Sequence, residues 1–413
     1  MKKISVSKIY YVLVALCYVA TLLFSQVRPG VVATVLMLLV FAELALKKKI
    51  TFDCVEDWIV TAFFAYQILS VTWLLAGGYP FSVFANEFVT STLPMVFYFV
   101  GKSATDEKGK WYRMYVYAII LIGALGVIMY IAAPRFYIDW AYRWSYISKA
   151  DVSTMRVRMH SVVGSTVLSF ISVAGMLAGS YFLADIKNTD DARGGKKGGS
   201  IVFSIVSMVL CLLFSIMANQ RSGLVVAALV IVFVNYLLFF RLDLIPRKYF
   251  IYEIIAIAAV FAAICVIRFE FILKFWWRII SLPTAISQRS EQWVAAVNNM
   301  YSSWIGNGLG ANGHKAIGLE DAHVITDGGL VKMYCEMGVI GFSMFVYSVI
   351  CALKRGLADI ADHFAEVGII VAALLQSIGS NMLAFQLCCP VFWFAMGCCM
   401  SSAGREVSRR KPV

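Results

Sequence analysis

Residues 201–240 read IVFSIVSMVLCLLFSIMANQRSGLVVAALVIVFVNYLLFF, and Arg221 is the only charged side chain among them. A polar break at 219–222 divides this stretch into two apolar halves. An α-helix needs about 17 to 25 predominantly apolar residues to cross the hydrocarbon core of a bilayer, and each half meets that length. The stretch therefore predicts two adjacent membrane spans, and the shortness of the break leaves open whether they are separate helices.

The composition of the whole chain agrees with this stretch. Hydrophobic residues make up 61% of the 413 residues and charged residues only 15%, whereas a soluble surface needs roughly a quarter or more charged residues. This balance excludes a cytosolic enzyme, a disordered regulator and a disulfide-stapled secreted domain. We predict an all-α, polytopic membrane protein, a single transmembrane domain over 1–413 with about 12 helices. The predicted spans are approximately 9–26, 30–46, 57–75, 84–101, 113–133, 161–185, 201–218, 223–240, 249–267, 329–353, 366–383 and 387–402.

The basic residues predict the orientation of these spans. If the N-terminus is cytoplasmic, the loops on that side carry most of the Lys and Arg, whereas the short loops on the opposite side hold only Arg28 and Arg221. Short cytoplasmic loops of membrane proteins are enriched in Lys and Arg, so both termini are expected in the cytoplasm. This distribution also accounts for most of the net charge of +12 without a nucleic-acid partner.

The sequence predicts no metal site and no cofactor. The ten cysteines fall mostly inside apolar spans and show no CxxC or Cys/His spacing. We therefore interpret them as small hydrophobic residues. No DxD pair occurs either.

Two long connections, 134–160 and 268–328, interrupt the pattern of short loops, and both are predicted on the outer side. They hold basic residues against the usual charge rule, which is weaker for long loops. The basic residues are Arg135, Arg143, Lys149, Arg156, Arg158, Arg268, Lys274, Arg278, Arg289 and Lys315. Such cations either meet an anionic ligand or are solvated or bound to lipid phosphate, and we expect the functional site in these loops.

The same loops hold six of the ten tryptophans. They are Trp140, Trp144, Trp276, Trp277, Trp293 and Trp304. Two interpretations stay open, an aromatic belt at the membrane surface and a platform on which sugar rings stack. Segment 269–282 is too short and too interrupted to span, and it is predicted to be an amphipathic helix lying in the interface.

Three motifs occur in order in the second long loop and the span that follows it. They are QRSEQW at 288–293, WIGNGLG at 304–310 and DGGLVKMYCEMGVIG at 327–341. This combination resembles the O-antigen polymerase and ligase superfamily, in which an Arg and a Trp precede a Gly-rich turn, and the next span opens with a His-Asn pair ahead of a Glu and a GxxG. The resemblance covers about 55 residues well, and Arg221 matches a second arginine of that family.

The chain departs from the family pattern at the His-Asn pair, which falls on Asp327 and Gly328. Two other histidines, His323 and His314, lie nearby. If 323–327 is helical, His323 and Asp327 share one face at i, i+4, and the carboxylate can orient the imidazole as a base. Alternatively, Asp327 is the N-cap of the following span, and the two interpretations are partly compatible.

The resemblance implies a GT-C-like fold and glycosyl transfer at the periplasmic face of the bacterial inner membrane. The donor and the acceptor would be undecaprenyl-pyrophosphate-linked oligosaccharides, and the other partners would be membrane lipids and a chain-length regulator. The missing histidine favours an O-antigen polymerase over a ligase, which would transfer the glycan to lipid A-core. A flippase or secondary transporter is the alternative of another class, but the unusual residues lie in external loops instead of near the bilayer midplane.

The resemblance and the residue types together suggest roles. Arginine binds phosphate oxygens bidentately and stays charged, so it can replace a metal beside a departing pyrophosphate. The candidate pyrophosphate ligands are Arg221, Arg289 and Arg278. The candidate substrate contacts are Arg158, Trp293 and Glu87. The candidate catalytic bases are His323, Asp327 and His314.

Polar residues inside predicted spans are functional candidates by default. They are Glu87, Lys332, Glu336 and Asn381. Lys332 and Glu336 are one helical turn apart and are predicted to form an ion pair. Glu87 has no partner nearby in the sequence, and it either lines the path of the lipid or is a protonated core carboxyl.

Overall fold

The computed structural model describes residues 5–24, 26–104, 107–144, 155, 158–188, 197–241, 246–248, 250–251, 255, 273, 280, 282–319 and 322–401. These residues form helices and turns and contain no β-strand. The α-helices, numbered in chain order, are α1 (Val6–Ala20), α2 (Pro29–Leu46), α3 (Val55–Leu69), α4 (Val71–Ala76), α5 (Phe81–Glu87), α6 (Val96–Ser103), α7 (Lys108–Ile131), α8 (Pro134–Trp144), α9 (Ser165–Asn188), α10 (Lys197–Ala218), α11 (Arg221–Asn235), α12 (Leu282–Asn298), α13 (Gly329–Ala358), α14 (Ile360–Ile378) and α15 (Cys389–Cys399).

The chain is a polytopic, helical membrane protein. Within the described residues, nine helical stretches are long and apolar enough to cross a membrane. They are Pro29–Leu46, Val55–Ala76, Phe81–Ser103, Lys108–Ile131, Ser165–Leu183, Ser200–Ala218, Arg221–Arg241, Gly329–Ala358 and Ile360–Ile378. Two more predicted spans are shorter apolar helices, α1 with 15 residues and α15 with 11. The predicted span 249–267 lies almost entirely outside the described residues, so twelve spans and a GT-C-like fold stay predictions.

The polar break in the stretch 201–240 separates two helices. Helix α10 ends at Ala218 and α11 begins at Arg221. Between them, Asn219 adopts a φ of 49°, a left-handed conformation that Asn tolerates better than most other residues with a side chain. The break therefore places Arg221 at the N-terminal tip of α11.

Four helix ends meet at one end of the bundle, called here the site end. Ser222 Oγ, in the first turn of α11, lies 3.4 Å from the Oγ of Ser380, which follows α14. The N–H of Gly329, where α13 begins, donates to Ser380 O at 3.2 Å. The N–H of Leu309 donates to Oγ of Ser70, at the end of α3, at 3.1 Å. The site end thus combines the starts of α11 and α13 with the ends of α3 and α14.

The opposite end of the bundle is joined by ion pairs. Lys102, in the last turn of α6, places Nζ 2.5 Å from Asp57 and 3.0 Å from Asp53. The hydrogen bond from Lys102 lowers the pKa of Asp53. Arg355, in the last turn of α13, lies 2.7 Å from Glu56 in the first turn of α3. These pairs tie the start of α3 to the ends of α6 and α13.

Candidate functional site

Three of the predicted arginines gather at the site end, around the start of α11. Arg221 is the first residue of that helix. Arg158 Nη1 donates a hydrogen bond of 3.4 Å to Oε1 of Gln220, the residue just before Arg221. Arg289, on α12, and Ser222, in the first turn of α11, both lie beside Gly379. A Cβ added to Gly379 would lie 3.7 Å from Arg289 Nη1 and 3.3 Å from Ser222 Cβ. Arg158, Arg221 and Arg289 together form what we call the arginine cluster.

The segment that carries Arg158 is held by contacts to two other elements. The N–H of His160 donates to the hydroxyl oxygen of Tyr137 on α8 at 2.7 Å. The N–H of Met159 donates to Met217 O, near the end of α10, at 2.9 Å. Burial raises the pKa of Tyr137, so its hydroxyl stays neutral. Sequence reasoning did not identify these contacts, because no local pattern joins segments so far apart in the chain.

Arg289 is joined directly to the start of α13. Its Nη2 lies 2.8 Å from Oδ2 of Asp327, and both side chains are about one-third exposed. Trp293, one turn further along α12, donates its Nε1–H to Asp327 O at 2.6 Å. A Cβ on Gly328, which has a φ of 121°, would lie 2.5 Å from Trp293 Nε1. The half-buried Trp293 therefore packs against the backbone, and together with Arg289 it fixes the position of Asp327.

Asp327 does not act as the helix cap that the sequence suggested. The N-cap of α13 is Gly328, and no side chain caps the helix. The carboxylate of Asp327 instead binds the guanidinium of Arg289.

The proposed helical pairing of His323 with Asp327 is also wrong. Residues 322–325 are not helical, so the i, i+4 relation does not place the two side chains on one face. Asn312 holds this segment instead. Its side-chain Nδ2 donates to His323 O at 2.8 Å, and its backbone carbonyl oxygen accepts the N–H of Ile325 at 2.9 Å. The side chain of His323 is exposed.

His314 lies in the short 3₁₀ turn His314–Ala316, and its side chain is also exposed. Among the candidate bases, Asp327 contacts an arginine of the cluster directly, through its ion pair with Arg289.

The WIGNGLG motif fits into a break in α13. Gly338 has a φ of 61° and a ψ of −172°, so the helix is interrupted at that residue. An interrupted helix leaves backbone groups without their usual partners. The loop supplies them: the N–H groups of Asn307 and Gly308 donate to Cys335 O and Glu336 O at 2.8 and 2.9 Å.

The contact between this loop and α13 requires glycine on both sides. A Cβ on Gly338 would lie 2.3 Å from Trp304 O, and a Cβ on Gly306 would lie 2.4 Å from Glu336 O. The two glycine-containing motifs therefore form one interlocked unit. Sequence reasoning treated the first motif as a turn, since spacing alone does not reveal its partner.

A buried polar cluster lies below this unit. Lys332 Nζ is 2.5 Å from Glu87 Oε1 and 3.2 Å from Glu336 Oε2. The predicted pair of Lys332 and Glu336 is thus confirmed. Glu87 is buried and is paired with the same lysine. Its predicted place on the path of the lipid stays a prediction.

A cavity of about 40 Å³ adjoins the buried polar cluster. Its polar lining consists of Gln67, Glu87, Ser91, Lys332, Glu336 and Asn381. Gly329 also lines it, so the cavity lies beneath the first turn of α13. A water molecule needs on the order of 10–15 Å³ by this measure, and the space therefore suits a few water molecules or a small ion.

The remaining candidates are one arginine and four tryptophans of the two long loops. Arg278 and most of segment 269–282, including Trp276 and Trp277, lie outside the described residues. Trp140 does not belong to a belt or a platform, because it is buried and donates its Nε1–H to Thr21 O at 3.2 Å. Trp304 is 65% exposed at the site end, and it fits either interpretation.

Within the described parts of the chain, no group of three or more His, Cys, Asp or Glu side chains is placed to hold a metal ion.

Neither a family model nor a curated protein matches this chain. The resemblance to the O-antigen polymerase and ligase superfamily therefore rests on the quoted motifs.

Proposed function

We propose that this chain is a glycosyltransferase that polymerises undecaprenyl-pyrophosphate-linked oligosaccharide repeat units into a surface polysaccharide. The observation that supports the proposal is the convergence of Arg158, Arg221 and Arg289 at one end of a membrane bundle. A helix N-terminus favours anions, and Arg221 stands at the N-terminus of α11. This combination suits the pyrophosphate of a lipid whose chain lies in the bilayer.

The proposed reaction is a single displacement. The oxygen of an acceptor hydroxyl forms a bond to the anomeric carbon of the donor, and the bond from that carbon to the pyrophosphate oxygen breaks. The electron pair leaves with the pyrophosphate, while the hydroxyl proton passes to a base. The arginine cluster offsets the negative charge that develops on the leaving group. Direct attack of this kind inverts the anomeric centre.

Asp327 is the proposed acceptor of the hydroxyl proton or of its hydrogen bond. Its Oδ2 binds Arg289, so the carboxylate is oriented beside a proposed pyrophosphate ligand. A base must come within hydrogen-bonding distance of the proton that it accepts. We therefore infer that the acceptor hydroxyl lies beside the carboxylate of Asp327, next to the arginine cluster.

The site end is proposed to face the periplasm of a bacterial inner membrane, with both termini in the cytoplasm. The unequal distribution of Lys and Arg among the predicted loops supports this orientation.

Purified protein incubated with lipid-linked repeat units alone tests the function. We expect a ladder of lengthened glycans, and we expect Arg221→Ala to lower the rate by about 100- to 1,000-fold. Arg135→Ala, at an exposed arginine of α8, should keep the wild-type rate. A product that forms only when lipid A-core is added would instead identify a ligase. Transport of the substrate without any new glycosidic bond would contradict the proposal.

A further inference from the structure

The buried polar cluster has an excess of one negative charge when its groups are ionised. Glu87 and Glu336 contribute two carboxylates, and both contact the ammonium of Lys332. All three side chains are 7% exposed or less. One ammonium balances one carboxylate, and an unbalanced charge is strongly disfavoured in a low-dielectric interior. The cluster therefore favours one additional positive charge.

Asn381 independently points to a ligand in the adjoining cavity. It lines the cavity and is 3% exposed. Its Nδ2 donates to Ile325 O at 2.9 Å and to Thr326 O at 3.3 Å. Its Oδ1 accepts no hydrogen bond in the described part of the structure. Buried polar atoms are nearly always satisfied, so this amide oxygen is available to a ligand.

We propose that the cavity binds one monovalent cation, supplied either as Na⁺ or as a proton, beside the two carboxylates and Asn381. Carboxylate and amide oxygens are the ligands that hard cations prefer, and either ion adds the single charge that the cluster lacks. A divalent ion would leave a net positive charge beside Lys332. The remaining titratable side chain in the lining is Cys389. The inference does not depend on the proposed glycosyl transfer.

The bound cation would connect three parts of the site end. Glu87 belongs to α5, Glu336 to α13, and Asn381 to the segment after α14. Asn381 also binds the backbone just before Asp327. Cation binding should therefore stabilise the folded protein as a whole.

Thermal unfolding in detergent provides the test. The midpoint Tm is measured while NaCl replaces choline chloride at constant ionic strength and pH, and then in choline chloride while the pH is lowered. A ligand that binds only the folded state raises Tm, by on the order of 2 °C for each tenfold increase above its Kd. We expect such a rise with Na⁺ or with acidification.

Matched variants connect the effect to the cluster. Glu87→Gln leaves one carboxylate and one ammonium and should abolish the rise, whereas Asp139→Asn, at an exposed carboxylate of α8, should retain it. If Glu87→Gln does not fold, Glu336→Gln makes the same change of charge. A rise with Na⁺ that needs Glu87 identifies a sodium site, and a rise only with acid that needs Glu87 identifies a proton site. A Tm that responds equally in all variants, or in none, overturns the inference.

Discussion

The two terminal nitrogens of the Arg289 guanidinium face different groups. Its Nη2 binds Asp327 at 2.8 Å, while its Nη1 points toward Gly379 and the first turn of α11. A guanidinium offers donors in a rigid planar fork, whereas an ammonium is a compact point charge on a flexible stem. We therefore expect the proposed site to depend on the shape of the cation as well as on its charge.

Arg289→Lys tests this dependence on shape. Lysine preserves the charge but cannot reach both Asp327 and a phosphate in fixed geometry, so we expect the polymerisation rate to fall by about 100-fold. The measurement is the initial rate of ladder formation by purified protein. Arg135→Lys serves as the control and should leave the rate unchanged. Full activity in Arg289→Lys would refute bidentate recognition.

Asp327→Asn separates the role of the carboxylate from its contribution to stability. The change keeps the size of the side chain and leaves the backbone oxygen that accepts the Trp293 hydrogen bond. A partly exposed ion pair contributes about 0–1 kcal/mol, so Tm should change by only about 2 °C or less. The glycosyl-transfer rate should nevertheless fall by about 100-fold or more, as expected for a lost general base. A large loss of Tm with an unchanged rate would make Asp327 a structural residue.

At the scale of elements, the broken helix α13 determines the geometry of the site. Its first segment begins at Gly329 beside the arginine cluster and carries Lys332 and Glu336 into the bundle. The break at Gly338 receives the loop around Gly306. The loop and the helix therefore position each other, and neither can move alone without losing backbone hydrogen bonds.

Gly338→Ala tests this coupling. A non-glycine residue with positive φ costs about 1–2 kcal/mol, and here the new Cβ would also lie 2.3 Å from Trp304 O. Gly318→Ala is the matched control, because Gly318 has a φ of 91° with no atom within 4 Å of its Cβ position. Tm measured in detergent should fall clearly further for Gly338→Ala. Equal losses would mean that the close contact between loop and helix is not important for stability.

At the scale of the whole molecule, apolar length predicts the spans because the thickness of a bilayer sets a minimum for every crossing helix. Helices α2, α7 and α9 follow this rule. Apolar length alone could not show whether the stretch 201–240 forms one helix or two, because it carries no information about the φ of Asn219.

The candidate site was predictable only in part. The charged residue types were visible in the sequence, and Lys332 with Glu336 followed from helical periodicity. The contact of Lys332 with Glu87 was not visible, because 245 residues separate them in the chain. The fit of the Gly-rich loop into α13 depends on backbone geometry, which spacing does not encode.

The two ends of the bundle differ in their charged residues. Lysine–carboxylate pairs such as Lys102 with Asp57 join helices at one end, and the arginine cluster occupies the other. Hydrogen bonds from Lys8 and Lys110 lower the pKa of Glu107 to about 2. Because the short loops predicted on the side of the N-terminus hold most of the Lys and Arg, the positive-inside rule predicts that the end with Lys102 faces the cytoplasm.

Cysteine labelling tests this assignment directly. Lys315→Cys lies in an exposed position beside the Gly-rich loop, and Lys354→Cys is exposed near the end of α13. In spheroplasts, a membrane-impermeant maleimide should label the first variant and leave the second unlabelled until the membrane is opened. The parent protein gives the background from the native cysteines, which are buried or half-buried where the structure describes them. The opposite labelling pattern would place the arginine cluster on the cytoplasmic side, where a periplasmic polymerase cannot use it.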